Sequence, residues 1–283
     1  MIIAVASGKG GTGKTFVSTN LFQLLVNKGL EVNLVDCDAE VPNTNLFFNA
    51  EALNRWSVEE YRPSIIVENC TFCGKCSEYC EYNAIFYVPA AGKIKVLGDI
   101  CHGCAACQEA CQSGAINPSS KIVGELTSFS YGERECIFEG RMGVKNTSSV
   151  PIIKEAIEHS LQNKSQLTIL DAPPGTSCPF IQTAVRSDLV ILVTEPTPFG
   201  ISDLHQAIST LKELGVPYKV VVNRADIGEK IKTIPAEDII AEIPFSADIA
   251  KVYAKGGIAV KELKAAKAYF EPIVEFLINK IGE

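Results

Sequence analysis

A glycine-rich loop near the N-terminus constrains this chain more than any other stretch. The loop reads GKGGTGKT over residues 8–15, and it joins an apolar run, Ile2–Ala6, to a helical pattern over Lys14–Lys28. This arrangement fits the G-x-x-x-x-G-K-[ST] phosphate loop, in which backbone N–H groups surround phosphate oxygens at the positive end of a helix. The alternative is an ordinary glycine turn before a helix. The pattern predicts that Lys14 contacts the β- and γ-phosphates of a nucleotide and that the hydroxyl of Thr15 binds Mg²⁺.

Strands and helices continue to alternate after this loop. The predicted strands are Val32–Val35, Leu167–Leu170, Leu189–Val193 and Tyr218–Val222, and the predicted helices are Ile152–Gln162, Ile201–Leu214, Ser246–Ala254 and Val260–Ile281. Alternation of helices with continuous apolar strands is typical of a parallel sheet covered on both faces. We therefore predict an α/β fold, a doubly wound and mostly parallel sheet, formed by residues 1–60 and 121–283. Residues 61–120 are predicted to be an inserted domain, joined back by short strands around Lys121–Met142.

The composition narrows the class of protein further. The chain has 283 residues and a formal net charge of -7, which disfavours nucleic acid or an anionic membrane as a partner. No stretch approaches about 18 uninterrupted apolar residues, so no membrane span is predicted, and the N-terminus lacks the basic region of a signal peptide. Eleven cysteines in a chain of this length indicate bound metal in a reducing cytoplasm rather than a disulfide scaffold.

A cysteine motif occurs twice within residues 61–120. The pattern C-x2-C-x2-C-x3-C begins at Cys70 and again at Cys101, and the repeat extends to Ala84-Ile85 and Ala115-Ile116. It resembles the motif of bacterial two-cluster ferredoxins, whose loops each wrap one [4Fe–4S] cluster while the fourth cysteine ligates the other cluster. The resemblance implies two clusters, one bound by Cys70, Cys73, Cys76 and Cys111, and the other by Cys101, Cys104, Cys107 and Cys80. The alternative is a pair of zinc sites with four cysteines each. One departure is that Glu81 and Gln112 stand where the usual proline follows the fourth cysteine.

The full form of the glycine loop, G-K-G-G-T-G-K-T, resembles the deviant phosphate loop of the MinD, ParA, Mrp and nitrogenase iron protein superfamily. The resemblance implies an ATP-dependent homodimer in which the early lysine, here Lys9, reaches the nucleotide of the partner subunit. The alternative for Lys9 is a solvated surface lysine. Lys14 then serves the ATP of its own subunit, so the resemblance gives the two lysines of the loop different roles.

Two further segments match the switches of this superfamily. Val35–Asp38 ends a predicted strand and resembles the first switch, in which Asp38 would orient the attacking water and lie near Mg²⁺. Leu170–Thr176 resembles the second switch, in which Asp171 would hold Mg²⁺ through water and the amide of Gly175 would sense the γ-phosphate. Each aspartate could instead be a helix cap or a turn former. A lysine, a metal ion and carboxylates suffice for phosphoryl transfer, which depends mainly on positioning and charge.

The complete predicted site is that of Mg-ATP hydrolysis. Asn223, at the end of a strand, resembles the residue that reads adenine, and Pro244 lies in the matching loop, although Asn223 could also be only a turn residue. The predicted catalytic residues are Lys9, Lys14 and Asp38, and those near Mg²⁺ are Thr15, Asp38 and Asp171. The predicted ATP contacts are Gly8, Lys9, Gly10, Gly11, Thr12, Gly13, Lys14, Thr15, Gly175, Asn223 and Pro244.

Three cysteines lie outside the repeat. Cys37 and Cys136 are predicted to be small buried apolar residues. Cys178 follows Asp171 at the offset at which the nitrogenase iron protein carries the ligand of a [4Fe–4S] cluster shared by two subunits. The alternative for Cys178 is packing at a helix start.

Three functions follow from these resemblances. The predicted function is Mg-ATP hydrolysis that couples dimer closure to electron transfer, and the other two are its alternatives. The protein could instead carry clusters or assemble metallocofactors as Mrp proteins do, or it could be a MinD-like spatial or regulatory switch that senses redox state. The expected partner in the first two cases is a redox or cluster-accepting protein, which the sequence does not identify.

Overall fold

The computed structural model describes residues 1–144, 146 and 148–282. The strands are β1 Ile2–Ala6, β2 Val32–Asp36, β3 Glu51–Ile65, β4 Ile85–Val88, β5 Lys93–Val96, β6 Ile116–Tyr131, β7 Arg134–Met142, β8 Leu167–Asp171, β9 Leu189–Thr194, β10 Tyr218–Asn223 and β11 Ile239–Ile243. The helices are α1 Lys14–Asn27, α2 Lys75–Glu78, α3 Ala106–Glu109, α4 Val150–Gln162, α5 Cys178–Ala184, α6 Pro198–Leu214, α7 Ala247–Ala254, α8 Ala259–Glu262 and α9 Lys264–Gly282.

The predicted α/β fold with a mostly parallel sheet is confirmed. Nine strands form one sheet in the order β11-β10-β9-β1-β8-β2-β7-β6-β3, and β4 and β5 form a separate antiparallel pair. Strand β1 pairs in parallel with both β8 and β9, and β2 pairs in parallel with β8 and β7. This register sets Asp171 opposite Val5 on one side and Asp36 on the other. The carboxyl ends of β1, β2 and β8 therefore meet at one edge of the sheet, where the phosphate loop begins.

The chain divides into two compact units. The first unit comprises Met1–Trp56, Leu126–Arg141 and Ile152–Glu283, of which Glu283 lies outside the described residues. The second unit comprises Ser57–Glu125 and Met142–Pro151, and it contains the cysteine repeat.

Two sequence predictions about the elements are wrong. The strands around residues 121–142 are long rather than short, since β6 has 16 residues and β7 has nine. The helix predicted over Val260–Ile281 is two helices, because Leu263 has extended backbone angles, φ -121° and ψ 113°, between α8 and α9. The other predicted helices begin within a few residues of their predicted starts. Within the described residues, no helix combines the length and apolar character needed to cross a membrane.

The core of the first unit is built around α1. This helix is buried on nearly all sides, because it packs against the sheet and against α8 and α9. Phe16 of α1 meets Phe270 of α9 edge-to-face with 5.5 Å between ring centroids, and Phe270 is fully buried. Apolar packing on both the sheet side and the α9 side fixes the helix whose N-terminus carries the phosphate loop.

Candidate functional site

Two glycines of the phosphate loop have backbone φ angles in the left-handed region, +81° at Gly11 and +100° at Gly13. A Cβ atom at Gly13 would lie 2.4 Å from the side-chain nitrogen of Asn223 in β10. A Cβ atom at Gly8 would lie 2.2 Å from the backbone oxygen of Asp203 in α6. Glycine is required at Gly8 and Gly13 because β10 and α6 approach the loop so closely.

Lys14 is the first residue of α1, and its side chain is buried. Burial lowers the pKa of its ammonium group, while the carboxylates of Asp171 and Asp38 raise it and so offset part of that effect. Of the residues predicted to act on ATP and Mg²⁺, Asp171 and Asp38 therefore lie within electrostatic reach of Lys14. A buried ammonium group that interacts with two acids is available to neutralise phosphate charge.

Asp171 is the centre of the predicted magnesium site. The hydroxyl of Thr15 donates a hydrogen bond to its Oδ2 at 2.7 Å, and the hydroxyl of Thr44 donates to the same oxygen at 3.2 Å. The other oxygen, Oδ1, is buried and has no hydrogen-bond partner among the described residues. A buried carboxylate oxygen without a partner is costly, and carboxylate and hydroxyl oxygens suit Mg²⁺. Thr15 and Asp171 therefore fit the ion that the sequence predicts.

Asp36 is a buried acid beside Asp171, and its place in the first switch gave it no predicted role of its own. Its Oδ2 accepts hydrogen bonds from the backbone N–H groups of Asn43 and Thr44 at 2.9 and 2.8 Å, and its Oδ1 accepts one from Asp38 at 3.0 Å. Burial and the charge of Asp171 raise the pKa of Asp36 to about 7. Burial also raises the pKa of Asp171 to about 6, although the hydrogen bond from Thr15 lowers it in part. Asp36 thus fixes the first switch segment beside a second buried acid.

A cavity of about 470 Å³ opens beside the loop. Eight of the predicted residues line it: Gly10, Gly11, Gly13, Lys14, Thr15, Asp38, Asn223 and Pro244. Its other walls include apolar side chains, among them Phe16, Phe245 and Tyr253, which the sequence analysis did not identify. The volume is within the usual range for small-molecule sites, and rings beside a phosphate loop offer a surface on which a base can stack. The other five predicted residues do not belong to this lining: Gly8, Lys9, Thr12, Asp171 and Gly175.

Two predicted ATP contacts are hydrogen-bonded within the chain. The side-chain nitrogen of Asn223 donates to the backbone oxygen of Thr12 at 2.8 Å. The amide of Gly175, where φ is +88°, donates to the backbone oxygen of Ser7 at 3.1 Å. These bonds tie β10 and the second switch to the phosphate loop. A γ-phosphate would have to replace Ser7 as the acceptor for Gly175.

Lys9 has an ion-pair partner in its own chain. Its Nζ lies 3.1 Å from Oε1 of Glu195, and Oε2 of Glu195 lies 2.8 Å from Nη1 of Arg224. Burial alone would raise the pKa of Glu195, but the hydrogen bonds from Lys9 and Arg224 hold it below its usual value. Lys9 is therefore not a freely solvated surface lysine in the single chain. Its predicted contact with a partner subunit would require this pair to open.

In the second unit, the two cysteine loops have the same backbone shape. Left-handed residues occur at three pairs of positions that the repeat aligns, namely Phe72 and Gly103, Gly74 and Ala105, and Asn83 and Gly114. Helices α2 and α3 also start at equivalent positions of the repeat, and Cys76 and Cys107 are each 8% exposed. The repeat in the sequence is therefore a repeat in three dimensions.

The eight cysteines of the repeat fall into two crossed groups. Burial raises the pKa of the Cys76 thiol, and the thiolates of Cys70, Cys111 and Cys73 raise it further. Burial likewise raises the pKa of Cys107 to about 11, together with the thiolates of Cys101, Cys104 and Cys80. In each group the fourth cysteine comes from the other loop. Cys80, Cys101, Cys104 and Cys107 also line one small cavity.

The donor set fits iron–sulfur clusters. Backbone amides donate to thiol sulfurs, from Phe72 to Cys70 at 3.4 Å and from Ala84 to Cys80 at 3.2 Å. Thiolate groups of four with amide hydrogen bonds to sulfur are the surroundings of such clusters. Within the described residues, no three or more His, Cys, Asp or Glu side chains are arranged to hold a single metal ion.

The three remaining cysteines differ in exposure. Cys37 and Cys136 are buried, as predicted, and burial raises the pKa of both thiols. Cys178 is exposed at the start of α5.

Comparison with known proteins identifies the family of the chain. Residues 3–260 match the family described as the CobQ/CobB/MinD/ParA nucleotide binding domain. The chain belongs to this family. The resemblance of the phosphate loop to those of MinD and ParA is thereby confirmed, and the family consists of P-loop nucleotide-binding proteins.

Relatives cover nearly the whole chain. An uncharacterized protein of Methanocaldococcus jannaschii is 32% identical over 281 residues, with 98% of each chain covered. A protein of Pyrococcus furiosus named iron-sulfur cluster carrier protein is 25% identical over 305 residues, which cover 99% of this chain and 86% of the carrier. Among solved structures, MinD of Pyrococcus horikoshii complexed with Mg-ADP has a TM-score of 0.55 at 22% identity, with 98% of this chain and 95% of that chain covered. This last likeness concerns the fold.

The buried acids of this CobQ/CobB/MinD/ParA domain predict a pH-dependent stability. Because the pKa of Asp36 is raised to about 7 in the folded chain, its contribution to folding is fully present below the unfolded value of 3.8 and is lost as the pH rises through about 7. Asp36→Asn removes this titration. We expect the free energy of unfolding of the variant, relative to that of the nucleotide-free wild type, to rise by at least about 1 kcal/mol between pH 5 and pH 8.

Urea unfolding at both pH values measures this difference. The lost carboxylate hydrogen bonds lower the stability of Asp36→Asn by a constant amount, so only the change with pH is decisive. A difference between variant and wild type that stays constant from pH 5 to pH 8 would contradict the raised pKa.

Proposed function

We propose that the protein is an ATP-dependent iron–sulfur protein. Residues 61–120 form a domain of the two-cluster ferredoxin type, inserted between residues 1–60 and 121–283 of the nucleotide-binding domain. The observation that carries this proposal is the repeated shape of the two cysteine loops in a chain of this family, with Cys80 of one loop lining the same small cavity as Cys101, Cys104 and Cys107 of the other. In two-cluster ferredoxins each loop binds three corners of one cluster and its fourth cysteine reaches the other.

The nucleotide site hydrolyses ATP in this proposal. Lys14 neutralises phosphate charge, Thr15 and Asp171 hold Mg²⁺, and Asp38 orients a water molecule in line with the γ-phosphate. The water oxygen forms the new bond to phosphorus as the bond to the β–γ bridging oxygen breaks, which gives ADP and phosphate. The burial of Lys14 within electrostatic reach of Asp171 and Asp38 supports these roles, because phosphoryl transfer depends on positioning and charge neutralisation.

The function that we favour is ATP-dependent delivery of an iron–sulfur cluster. The likeness to proteins named iron-sulfur cluster carriers supports delivery of a cluster to an acceptor protein. Electron transfer driven by dimer closure is the second candidate, favoured by the two-cluster arrangement itself. A cluster that moves to an apo-acceptor when ATP is added would select delivery, whereas clusters that stay bound and cycle reversibly between redox states would select electron transfer.

The cluster content tests the proposal directly. We expect anaerobically purified protein to hold about eight iron and eight sulfide per chain in the repeat, and Cys101→Ala to remove about four of each. Iron and sulfide analysis of both proteins measures this loss. Cys136→Ala is the matched control, because Cys136 lies outside the repeat and should leave the iron content unchanged. Zinc in place of iron, or no loss of iron in Cys101→Ala, would show that the proposal is wrong.

The role of Lys9 is tested by mixing subunits. If Lys9 acts on the ATP of a partner subunit, Lys9→Ala should still bind ATP but should lose ATP-dependent dimerisation and most hydrolysis, as when an arginine finger is removed in trans. Mixed with Asp38→Ala chains, it should recover some activity, because each heterodimer has one site with its own Asp38 and the Lys9 of the other chain.

Lys28→Ala is the control for this experiment, since Lys28 also forms an ion pair within its chain, with Glu271 at 2.7 Å. It should hydrolyse ATP normally. Heterodimers as inactive as their parents, or normal hydrolysis by Lys9→Ala, would leave Lys9 with only its pairing to Glu195.

Cys178 would ligate a further cluster shared by two subunits in this proposal. Because Cys178 is exposed, its position at the start of α5 supports this role over packing at a helix start. Cys178→Ser should then remove about two irons per chain, half of a shared four-iron cluster, and weaken the dimer. Iron analysis and sedimentation measure both effects. Unchanged iron content together with unchanged dimerisation would refute a ligand role.

A further inference from the structure

The two proposed cluster sites share a backbone shape, so any difference between them arises from the side chains around them. Tyr82 and His102 form the clearest difference. Their rings stack with 3.8 Å between centroids and an angle of 15° between planes. Tyr82 lies just after Cys80 in the chain, and His102 directly follows Cys101. The stack therefore joins the two chain segments that carry Cys80 and Cys101, which are ligands of the same proposed cluster.

The other site lacks these rings at the equivalent positions. The repeat aligns Tyr82 with Ser113 and His102 with Thr71. Both Ser113 and Thr71 have short side chains, and the hydroxyl of Ser113 lies 3.6 Å from the sulfur of Cys111. The first site, that of Cys70, Cys73, Cys76 and Cys111, therefore has hydroxyl groups at these positions. Hydroxyl groups cannot stack, so no ring pair joins the two segments of this site there.

Besides the ring stack, residues of β3 contact the second cysteine loop, which begins at Cys101. Nη1 of Arg62 donates to the backbone oxygen of Cys101 at 2.6 Å, and the hydroxyl of Tyr61 donates to Oε1 of Gln108 at 2.7 Å. Tyr61, Tyr82 and His102 line the same small cavity as the four cysteines of the second site. The first loop has its own tie, from the hydroxyl of Tyr87 to the backbone oxygen of Phe72. At the second site, however, stacked rings join two chain segments that both carry ligands of that site. Among the described residues, the first site has no such pair of rings.

We propose that the two clusters are released at different rates, and that the stack of Tyr82 on His102 retains the cluster of Cys80, Cys101, Cys104 and Cys107. The cluster of Cys70, Cys73, Cys76 and Cys111 is then the exchangeable one. This inference rests on the proposed function and specifies which cluster is available for delivery. On release to a chelator, each iron exchanges its cysteine thiolate and its three bridging sulfides for donor atoms of the chelator, the freed thiolate takes a proton from water, and the sulfides leave as hydrosulfide, with no change of oxidation state. The fourth cysteine leaves most readily where its segment is free to move away.

Chelator-driven iron release tests this inference. Of the eight irons expected in the repeat, anaerobic protein mixed with excess EDTA should lose about four in a fast phase and about four in a phase at least threefold slower, because the ring stack must open first. Tyr82→Ser should convert the slow phase to the fast rate. His102→Phe, which keeps a ring to stack, should retain two phases. The matched control is Tyr79→Ser, since Tyr79 lies in the same segment and is 62% exposed.

Two further variants assign the phases to sites. Cys73→Ser should leave only the slow phase, and Cys104→Ser only the fast one. Release at a single rate from the wild type would overturn the inference, as would two unchanged phases in Tyr82→Ser or an equal effect of Tyr79→Ser. A wild-type protein that holds no iron would instead refute the proposed function, so the two failures are distinguishable.

Discussion

The nucleotide site depends on two buried carboxylates that the parallel register of β2 and β8 sets side by side, Asp36 and Asp171. Burial raises the pKa of both acids, and the charge of Asp171 raises that of Asp36 further, so both carboxylates carry a free-energy cost that a cation relieves. Lys14 supplies one such charge, and Mg²⁺ would supply another. Because Thr44 contacts both acids, a change of charge at Asp171 reaches the first switch segment directly. The same contacts that would hold the metal ion therefore also position the segment of Asp38.

In the single chain, groups that ATP and a partner subunit would contact already have hydrogen-bond or ion-pair partners. The amide of Gly175 is bound to Ser7, and Lys9 is bound to Glu195. Binding of ATP is then an exchange of partners rather than a gain of new contacts, and its net free energy is a difference between two sets of hydrogen bonds. A ligand shifts a conformational equilibrium only by its differential affinity for the two states. The contacts of Gly175 and Lys9 are places where such a difference can arise.

Local motifs made the nucleotide site predictable, and long-range contacts limited the prediction. Lys14, Thr15 and Asp171 stand in short patterns whose geometry follows from a strand, a loop and a helix. The pairing of Lys9 with Glu195, by contrast, joins residues far apart in the sequence, which no local pattern encodes. The length of β6 was missed for the same reason, because its 16 residues are stabilised by neighbouring strands rather than by an alternating pattern of their own.

The two cysteine loops share left-handed backbone positions, although different residues occupy them. At each of the three left-handed pairs one member is glycine and the other is Phe72, Ala105 or Asn83. A residue other than glycine in this region costs on the order of 1 to 3 kcal/mol and persists where its surroundings determine it. If glycine alone set the shape of these loops, it would stand at the same positions in both. The shared shape instead follows from the shared spacing of the cysteines, which is what a common ligand would require of both loops.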